Sequence, residues 1–267
     1  MITSANNQQL KQVSALLKKA KERKEKKAFV VEGPRMVVEA PIESLKAVYV
    51  AESFEKNPEN QNLLKELESK CQKSGAVFET VADAVFKNVS DTQTPQGIMA
   101  VVAIPEYSFE KLLDGNKTHL LILESIQDPG NLGTMLRTGE GAGITGVIMN
   151  KTTVDLFNPK TIRSTMGSIY RMPYYVTEDL SQTLKDLQQR NVSLYAAHLK
   201  GEHYYTEEDY TSGCGFLIGN EGNGLSDDIA NQADTYIKIP MEGQVESLNA
   251  AISATLLMYE ANRQRRL

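Results

Sequence analysis

Three stretches of this chain set glycine among Asn, Glu, Ser and one Arg, at spacings that suit a nucleotide-like ligand. The first runs Glu124-Ser-Ile-Gln-Asp-Pro-Gly-Asn131-Leu-Gly-Thr-Met-Leu-Arg137. The second is Gly219-Asn-Glu-Gly-Asn-Gly224-Leu-Ser, and the third is Ile239-Pro-Met-Glu-Gly-Gln-Val-Glu-Ser247-Leu-Asn249. Glycine lets a ligand approach the main chain, and Asn, Glu and Ser can fix it by hydrogen bonds. Arg137 has Gly133 and Gly141 four residues away on either side, so one helical stripe reads Gly-Arg-Gly. That stripe clears room around a guanidinium for an approaching phosphate. Close helix packing, with Arg137 reaching outward, explains the same spacing, and both readings stand. Asn131 follows an Asp-Pro-Gly turn and reads as a helix N-cap, a role compatible with a catalytic one.

Other catalytic signatures are missing. The segment Gly141-Ala-Gly-Ile-Thr-Gly146 matches G-x-G-x-x-G, but it closes a helix and enters a strand, the reverse of a dinucleotide turn. This counts against a nicotinamide oxidoreductase. There is no Walker sequence and no G-x-S-x-G elbow. Three histidines (His119, His198, His203) and two cysteines (Cys71, Cys214) have no zinc-ligand spacing, so no metal is expected.

The elements that must position these loops alternate. Apolar runs at His119 to Glu124, Gly146 to Met149, Tyr174 to Val176, Ser193 to Ala197, Gly215 to Ile218 and Thr235 to Ile239 read as strands. Helical patterns lie between or after them at Leu132 to Gly141, Pro159 to Tyr170, Ser181 to Arg190 and Glu246 to Arg265. Buried strands separated by helices imply a parallel sheet covered on both faces, with ligands beyond the strands' carboxyl ends. The first half is also read as α/β. Residues 7–20 and Gln61 to Lys73 are its helices, and Phe29 to Glu32, Leu45 to Val50 and Gly97 to Ile104 its strands. A polar stretch near 105–117 is the expected linker. The last helix sets Leu248, Ile252 and Leu256 four apart with small residues between, which suits core packing or a dimer interface.

With 267 residues, two domains are expected, and an apolar content of 41% is that of a globular chain. Two cysteines exclude a disulfide framework and point to a reducing compartment. The longest apolar run, Ile98 to Ile104, is too short for a membrane span, and the first residues lack a secretory pattern. A cytoplasmic location follows as an expectation. Net charge is −5, yet residues 1–30 carry eight Lys/Arg against Glu22 and Glu25, leaving −11 on the remainder. A basic first helix, and a second cluster at Asn262 to Arg266, can engage a polyanion locally. A solvated lysine-rich face explains the first of these equally well.

At its three loops the sequence resembles the SpoU/TrmH family of RNA ribose 2′-O-methyltransferases in the SPOUT superfamily. The likeness lies in Asn131-x-Gly133-x-x-x-Arg137, Leu217 to Ser226 and Ile239 to Asn249, in that order. The segment Asn158-Pro-Lys-Thr-Ile-Arg163-Ser164-Thr-Met-Gly167 resembles the family's substrate-contacting stretch. One departure is Asn249-Ala-Ala-Ile, where the family often has Asn-Val-Ser-Val. Residues 1–104 resemble the substrate-binding domain often fused to this family and related to kink-turn-binding ribosomal proteins. Phe29 to Ala40 and Thr94-Pro-Gln-Gly-Ile98 carry that likeness.

The resemblance implies an RNA-binding domain at 1–104, a linker at 105–117 and a knotted methyltransferase domain at 118–267, assembled as a homodimer. It implies S-adenosylmethionine held by Gly219, Ile239 and Leu248, with Ile218 and Met241 beside them. Arg137, Asn131, Glu221, Ser247 and Asn249 would be catalytic. Lys18, Lys19, Arg23, Arg35, Arg163 and Ser164 would contact RNA, ribosomal RNA ahead of transfer RNA. The alternative from another class is a non-catalytic RNA-binding protein on the same fold.

Overall fold

The computed structural model describes residues 1–267. They form two compact units, residues 1–106 with 157–170, and residues 107–156 with 171–267.

In the first unit a sheet of four strands is ordered β1-β4-β2-β3, with β1 Ala28–Glu32, β2 Leu45–Ala51, β3 Val77–Val81 and β4 Ile98–Ala103. β4 runs antiparallel to both β1 and β2, and only β2 and β3 are parallel. The parallel sheet is the expectation for the second half; in this α/β first unit the sheet is mixed, because β4 lies between β1 and β2 and runs against both. β3 escaped the sequence reading because its residues are mostly half-buried, which weakens the apolar signal. One face of the sheet is sealed by Leu10, Val13, Leu16 and Leu17 of the helix Gln8–Lys18. The helix Pro159–Thr165 also belongs to this unit. Phe157 packs on Phe29 with ring centroids 4.9 Å apart, and Tyr170 donates to the Met36 carbonyl at 2.8 Å. That helix was expected to reach Tyr170. It stops at Thr165 because Met166 and Gly167 take positive φ.

The second unit holds seven strands, β5 His119–Leu123, β6 Gly146–Asn150, β7 Tyr174–Thr177, β8 Ser193–Ala197, β9 His203–Tyr204, β10 Cys214–Ile218 and β11 Thr235–Lys238. Their order is β7-β6-β5-β10-β8-β11-β9, and every pairing is parallel. All carboxyl ends thus open on one edge. β5 is buried along its whole length, as a central strand covered on both faces must be. The segment read as a linker is packed, since Leu112 is fully buried and Tyr107, Phe109 and Leu113 lie against the same core. Its apolar residues outweigh its polar composition.

Candidate active site

The first loop leaves β5 and enters the helix Pro129–Ala142. Asp128, not Asn131, is the N-cap, its carboxylate accepting from the Asn131 backbone N–H at 2.9 Å. Pro129 fills the first turn, where a missing N–H costs nothing. Asn131 is thereby freed from capping, and its side chain reaches the other two loops. Its Nδ2 donates to Glu221 Oε1 at 3.0 Å, and its Oδ1 accepts from Asn249 Nδ2 at 3.0 Å. One chain of hydrogen bonds, Asn249 to Asn131 to Glu221, therefore ties all three loops together.

Glu221 is held further by the backbone N–H groups of Gln127 and Asp128, each at 3.0 Å. Burial alone would raise its carboxyl. The bonds from Asn131, Gln127 and Asp128 together outweigh that and hold it below the usual carboxylate range. Glu221 is thus a fixed anion, engaged by three donors. Glu124 at the end of β5 accepts from Ser226 N–H and Oγ, and Asn220 Nδ2 donates to the Ser125 carbonyl. The glycine loop is stitched to the first loop along its length. Within it the backbone doubles back so tightly that a Cβ on Gly219 would sit 2.1 Å from the Gly224 carbonyl carbon. No other residue fits there.

Beside this junction lies a cavity of about 610 Å³. Ile218, Gly219, Ile239, Met241 and Leu248 line it, with Glu221 and Ser247. Asn131, Asn249 and Arg137 are outside its wall. The third loop runs from Ile239 to Leu248 without an intrachain hydrogen bond, so its backbone polar groups stay free along the cavity. Asn249 then caps the helix Ala250–Gln264 by accepting from Ala251 and Ile252 N–H groups. That cap is why the helix begins four residues later than expected, leaving Ser247 and Leu248 outside it, in the wall of the cavity. The wall also includes His198, Lys200, Tyr204 and Lys238, which the sequence reading missed. The missed signal was the end of β8, a fourth strand terminus followed by His198-Leu-Lys-Gly201.

The lining suits S-adenosylmethionine. The volume is that of a drug-sized ligand site. Apolar Ile218, Leu225, Ile237 and Met241 can cover a planar base, and free main-chain groups can read its edge. Glu221, Glu242 and Glu246 can face a sulfonium or ammonium, and Lys200 and Lys238 a carboxylate. No group of three or more His, Cys, Asp or Glu converges anywhere in the chain.

Arg137 is exposed and makes no hydrogen bond or ion pair within the chain. The glycine stripe around it serves packing at Gly141, where a Cβ would lie 2.8 Å from the Tyr259 hydroxyl of the last helix. Among the proposed RNA contacts, Lys18 and Lys19 are exposed at the end of the first helix. Arg35 pairs with Glu39 at 3.1 Å and Arg163 with Asp91 at 3.2 Å. Ser164 is half-buried and donates to the Lys160 carbonyl at 3.0 Å. Arg23 is different: only 4% exposed, it donates to the Leu16 and Leu17 carbonyls. It closes the first helix from inside, so it is a structural residue and not a surface contact. Of the basic tail, Arg266 stays exposed, while the other two arginines are engaged within the chain. Arg265 donates to the carbonyls of Lys117, Thr118, Tyr210 and Ser212, and Arg263 pairs with Glu260.

The profile of the SpoU rRNA methylase family matches residues 118–259, and that of the MRM3-like substrate binding domain matches residues 7–100. The chain belongs to the SpoU methylase family. It is 34% identical over 258 residues to the 23S rRNA (guanosine(2553)-2′-O)-methyltransferase RlmP of Bacillus subtilis, covering 97% of each chain. It is 30% identical over 234 residues to the 23S rRNA (guanosine-2′-O-)-methyltransferase RlmB of Xanthomonas campestris, covering 85% of this chain and 92% of that one. Among solved structures, an rRNA methyltransferase from Sinorhizobium meliloti superposes with a TM-score of 0.86 at 28% identity, covering 98% and 96% of the two chains. An AdoMet-bound rRNA methyltransferase from Sinorhizobium meliloti superposes at 0.84 with 28% identity, covering 98% and 97%. The fold of this SpoU protein, an α/β chain with a parallel sheet, is the fold of those enzymes.

Proposed function

We propose that this SpoU protein transfers a methyl group from S-adenosylmethionine to a ribose 2′-hydroxyl of ribosomal RNA. The carrying observation is the hydrogen-bonded chain from Asn249 through Asn131 to Glu221, which joins the three motif loops at the edge of the cavity. S-adenosylmethionine, when bound, supplies a sulfonium methyl that an oxygen nucleophile can displace.

The backbone of Gly219, Ile239 and Leu248 holds the cofactor, with Ile218 and Met241 against its base. Glu221, already engaged by three donors, stays anionic and orients Asn131; it does not take the proton. A guanidinium is a poor base, so the role of Arg137 is electrostatic. The side chain holds the phosphate beside the target ribose and stabilises the developing alkoxide while the 2′-hydroxyl proton passes to solvent water. The oxygen–methyl bond forms as the methyl–sulfur bond breaks, leaving a neutral thioether. Ser247 and Asn249 fix the third loop. The reaction as proposed needs positioning and charge, without a metal ion.

The amino-terminal unit is the RNA-binding module, through Lys18, Lys19, Arg35, Arg163 and Ser164. The protein works in the cytoplasm as a homodimer whose methyltransferase domain carries a trefoil knot. Support for pairing comes from the last helix, where Ile252 and Tyr259 are 50% and 45% exposed. An open, mainly apolar groove there is lined by Thr138, Tyr205, Thr255, Leu256, Tyr259 and Glu260. Thr138 adjoins Arg137, so pairing on this face brings the Arg137 helix to the interface and lets a partner complete the site. No helix is long and apolar enough to cross a membrane.

The test is transfer of labelled methyl to ribosomal RNA from cells lacking the gene, followed by mapping of ribose methylation. Arg137→Ala abolishes transfer while cofactor binding and dimerisation persist. Cofactor binding without transfer to any RNA would instead mark a non-catalytic RNA-binding protein.

A further inference from the structure

The first unit carries a polar loop that the chemistry above leaves unused. Residues 90–97 join the helix Asp83–Val89 to β4. Glu32, the last residue of β1, accepts from Ser90 Oγ and Thr92 Oγ1, one on each carboxylate oxygen and both at 2.8 Å. At the other end the Ala51 N–H donates to the Gly97 carbonyl at 2.8 Å. Gly97 holds φ +78°, and a Cβ there would meet Phe54 at 2.8 Å. Pro95 fixes one φ and keeps Thr94 extended. The loop is pinned at both ends and stiff between.

Between the pins Gln93, Thr94 and Gln96 are exposed, and their side chains make no hydrogen bond within the chain. The Gln96 amide lies over Gly33, its Oε1 2.7 Å from where a Cβ would stand, two residues before Arg35. Asp91 of the loop holds Arg163. Arg163 is thus held at the Asp91 end of the loop, and Arg35 stands in the chain two residues beyond the Gly33 contact of Gln96.

We propose that this loop reads unpaired bases of the RNA substrate. The Gln93 and Gln96 amides each offer a donor beside an acceptor, which matches the Watson–Crick edge of a splayed nucleotide. Arg35 and Arg163 hold the adjoining phosphates. Their present partners, Glu39 and Asp91, form exposed pairs that are weak and screened, so a phosphate displaces them readily. Lys18, Lys19 and the lysines of the short helix Ala20–Lys26 add affinity without sequence information, and the loop supplies what they lack. The ligand class is single-stranded RNA, because an A-form duplex hides these base edges. Stiffness lowers the ordering cost of binding. This proposal rests on the RNA methyltransferase reading above.

The full-length protein is assayed on deproteinised large-subunit ribosomal RNA from cells lacking the gene. The double variant Gln93→Ala, Gln96→Ala raises the KM for that RNA at least tenfold, with melting temperature, cofactor affinity and salt dependence of RNA binding matching the parent. Arg35→Ala instead lowers the salt slope by about one. Gln93→Ala alone moves KM in the same direction and serves if the double variant loses stability. A KM within twofold of the parent, with the same nucleotide modified, overturns the proposal. If the parent transfers no methyl group to this RNA, the reading of the reaction fails. Filter binding of the same RNA then decides the loop separately, and equal affinity of parent and double variant overturns it.

Discussion

Asn249 donates its side-chain amide to Asn131 Oδ1 at 3.0 Å, bridging 118 residues of chain, while its own oxygen caps the last helix. One side chain thus performs a structural and a site-building task through different atoms, and the two can be separated. Asn249→Asp keeps the capping oxygen and loses the donor. Its melting temperature stays near the parent's, while methyl transfer falls by about two orders of magnitude, as when one positioned donor is lost. Asn249→Ala loses both functions and costs about 1 kcal/mol of stability in addition. Thermal unfolding and single-turnover methyl transfer on the two variants check the separation.

Glu221 sets an acid limit on the site. Its folded-state value lies below the ordinary 4.5, so its stabilising effect is complete above 4.5 and is lost as pH falls through the folded value. This contribution to fold stability is therefore flat from neutrality to about pH 5 and weakens only below it. In Glu221→Gln that acid limb disappears, and stability is lower across the flat range. Urea unfolding between pH 4 and pH 7 is the check.

His119 works in a different window. Burial, with the charge of Arg265 adding to it, pushes its imidazole down to about 3 from 6.5, and its Nε2 has no hydrogen-bond partner. Between those values the unfolded chain binds a proton that the folded chain refuses, so stability falls as pH drops below 6.5. The slope approaches about 1.4 kcal/mol per pH unit at its steepest. His119→Phe removes this slope and keeps the edge-on packing against Phe216. Urea unfolding at pH 7.5, 6.0 and 5.0 distinguishes the two proteins.

Gly219→Ala tests the tightest point of the glycine loop. The added methyl meets backbone rather than a flexible side chain, so the loop itself must shift. Overpacking of this kind costs about 1–3 kcal/mol. We expect cofactor affinity to fall by about 10- to 100-fold, a loss of about that size, with the sheet intact by circular dichroism.

Arg265 closes the other end of the sheet by donating to four carbonyls. Arg265→Ala strands those acceptors and lowers stability by about 3 kcal/mol, at the upper range for hydrogen bonds to a charged group. Arg265→Lys recovers only part of it, because an ammonium cannot match the guanidinium fork. Chemical denaturation of both variants gives the comparison.

The second unit was readable because its strands are continuous apolar runs, and a parallel sheet announces its ligand edge by strand ends. The same rule applied to Ala197 would have found the His198–Lys200 side of the cavity. What the sequence hid depends on competition between neighbours. Asp128 and Asn131 are both good caps, and only the geometry of the Pro129 turn chooses between them. Arg23 looks like its exposed lysine neighbours, yet it lies on a second helix, Ala20–Lys26, and the break at Lys19 after Gln8–Lys18 turns it inward onto open carbonyls. Residues 157–170 have the pattern of a second-unit helix, and their attachment to Phe29 and Met36 involves no local signal. The 105–117 stretch is polar by count, but a few apolar side chains decide where it lies.

The bonds that define the site have long sequence separations, 102 residues for Glu124 with Ser226 and 118 for Asn131 with Asn249. Such contacts form late, because large loops must close before any of them is rewarded. A growing polypeptide consequently lacks the bridge between its first and third loops until Asn249 has docked, even though β5 was made more than a hundred residues earlier. Locking the three loops together is thus among the last events that the order of synthesis permits.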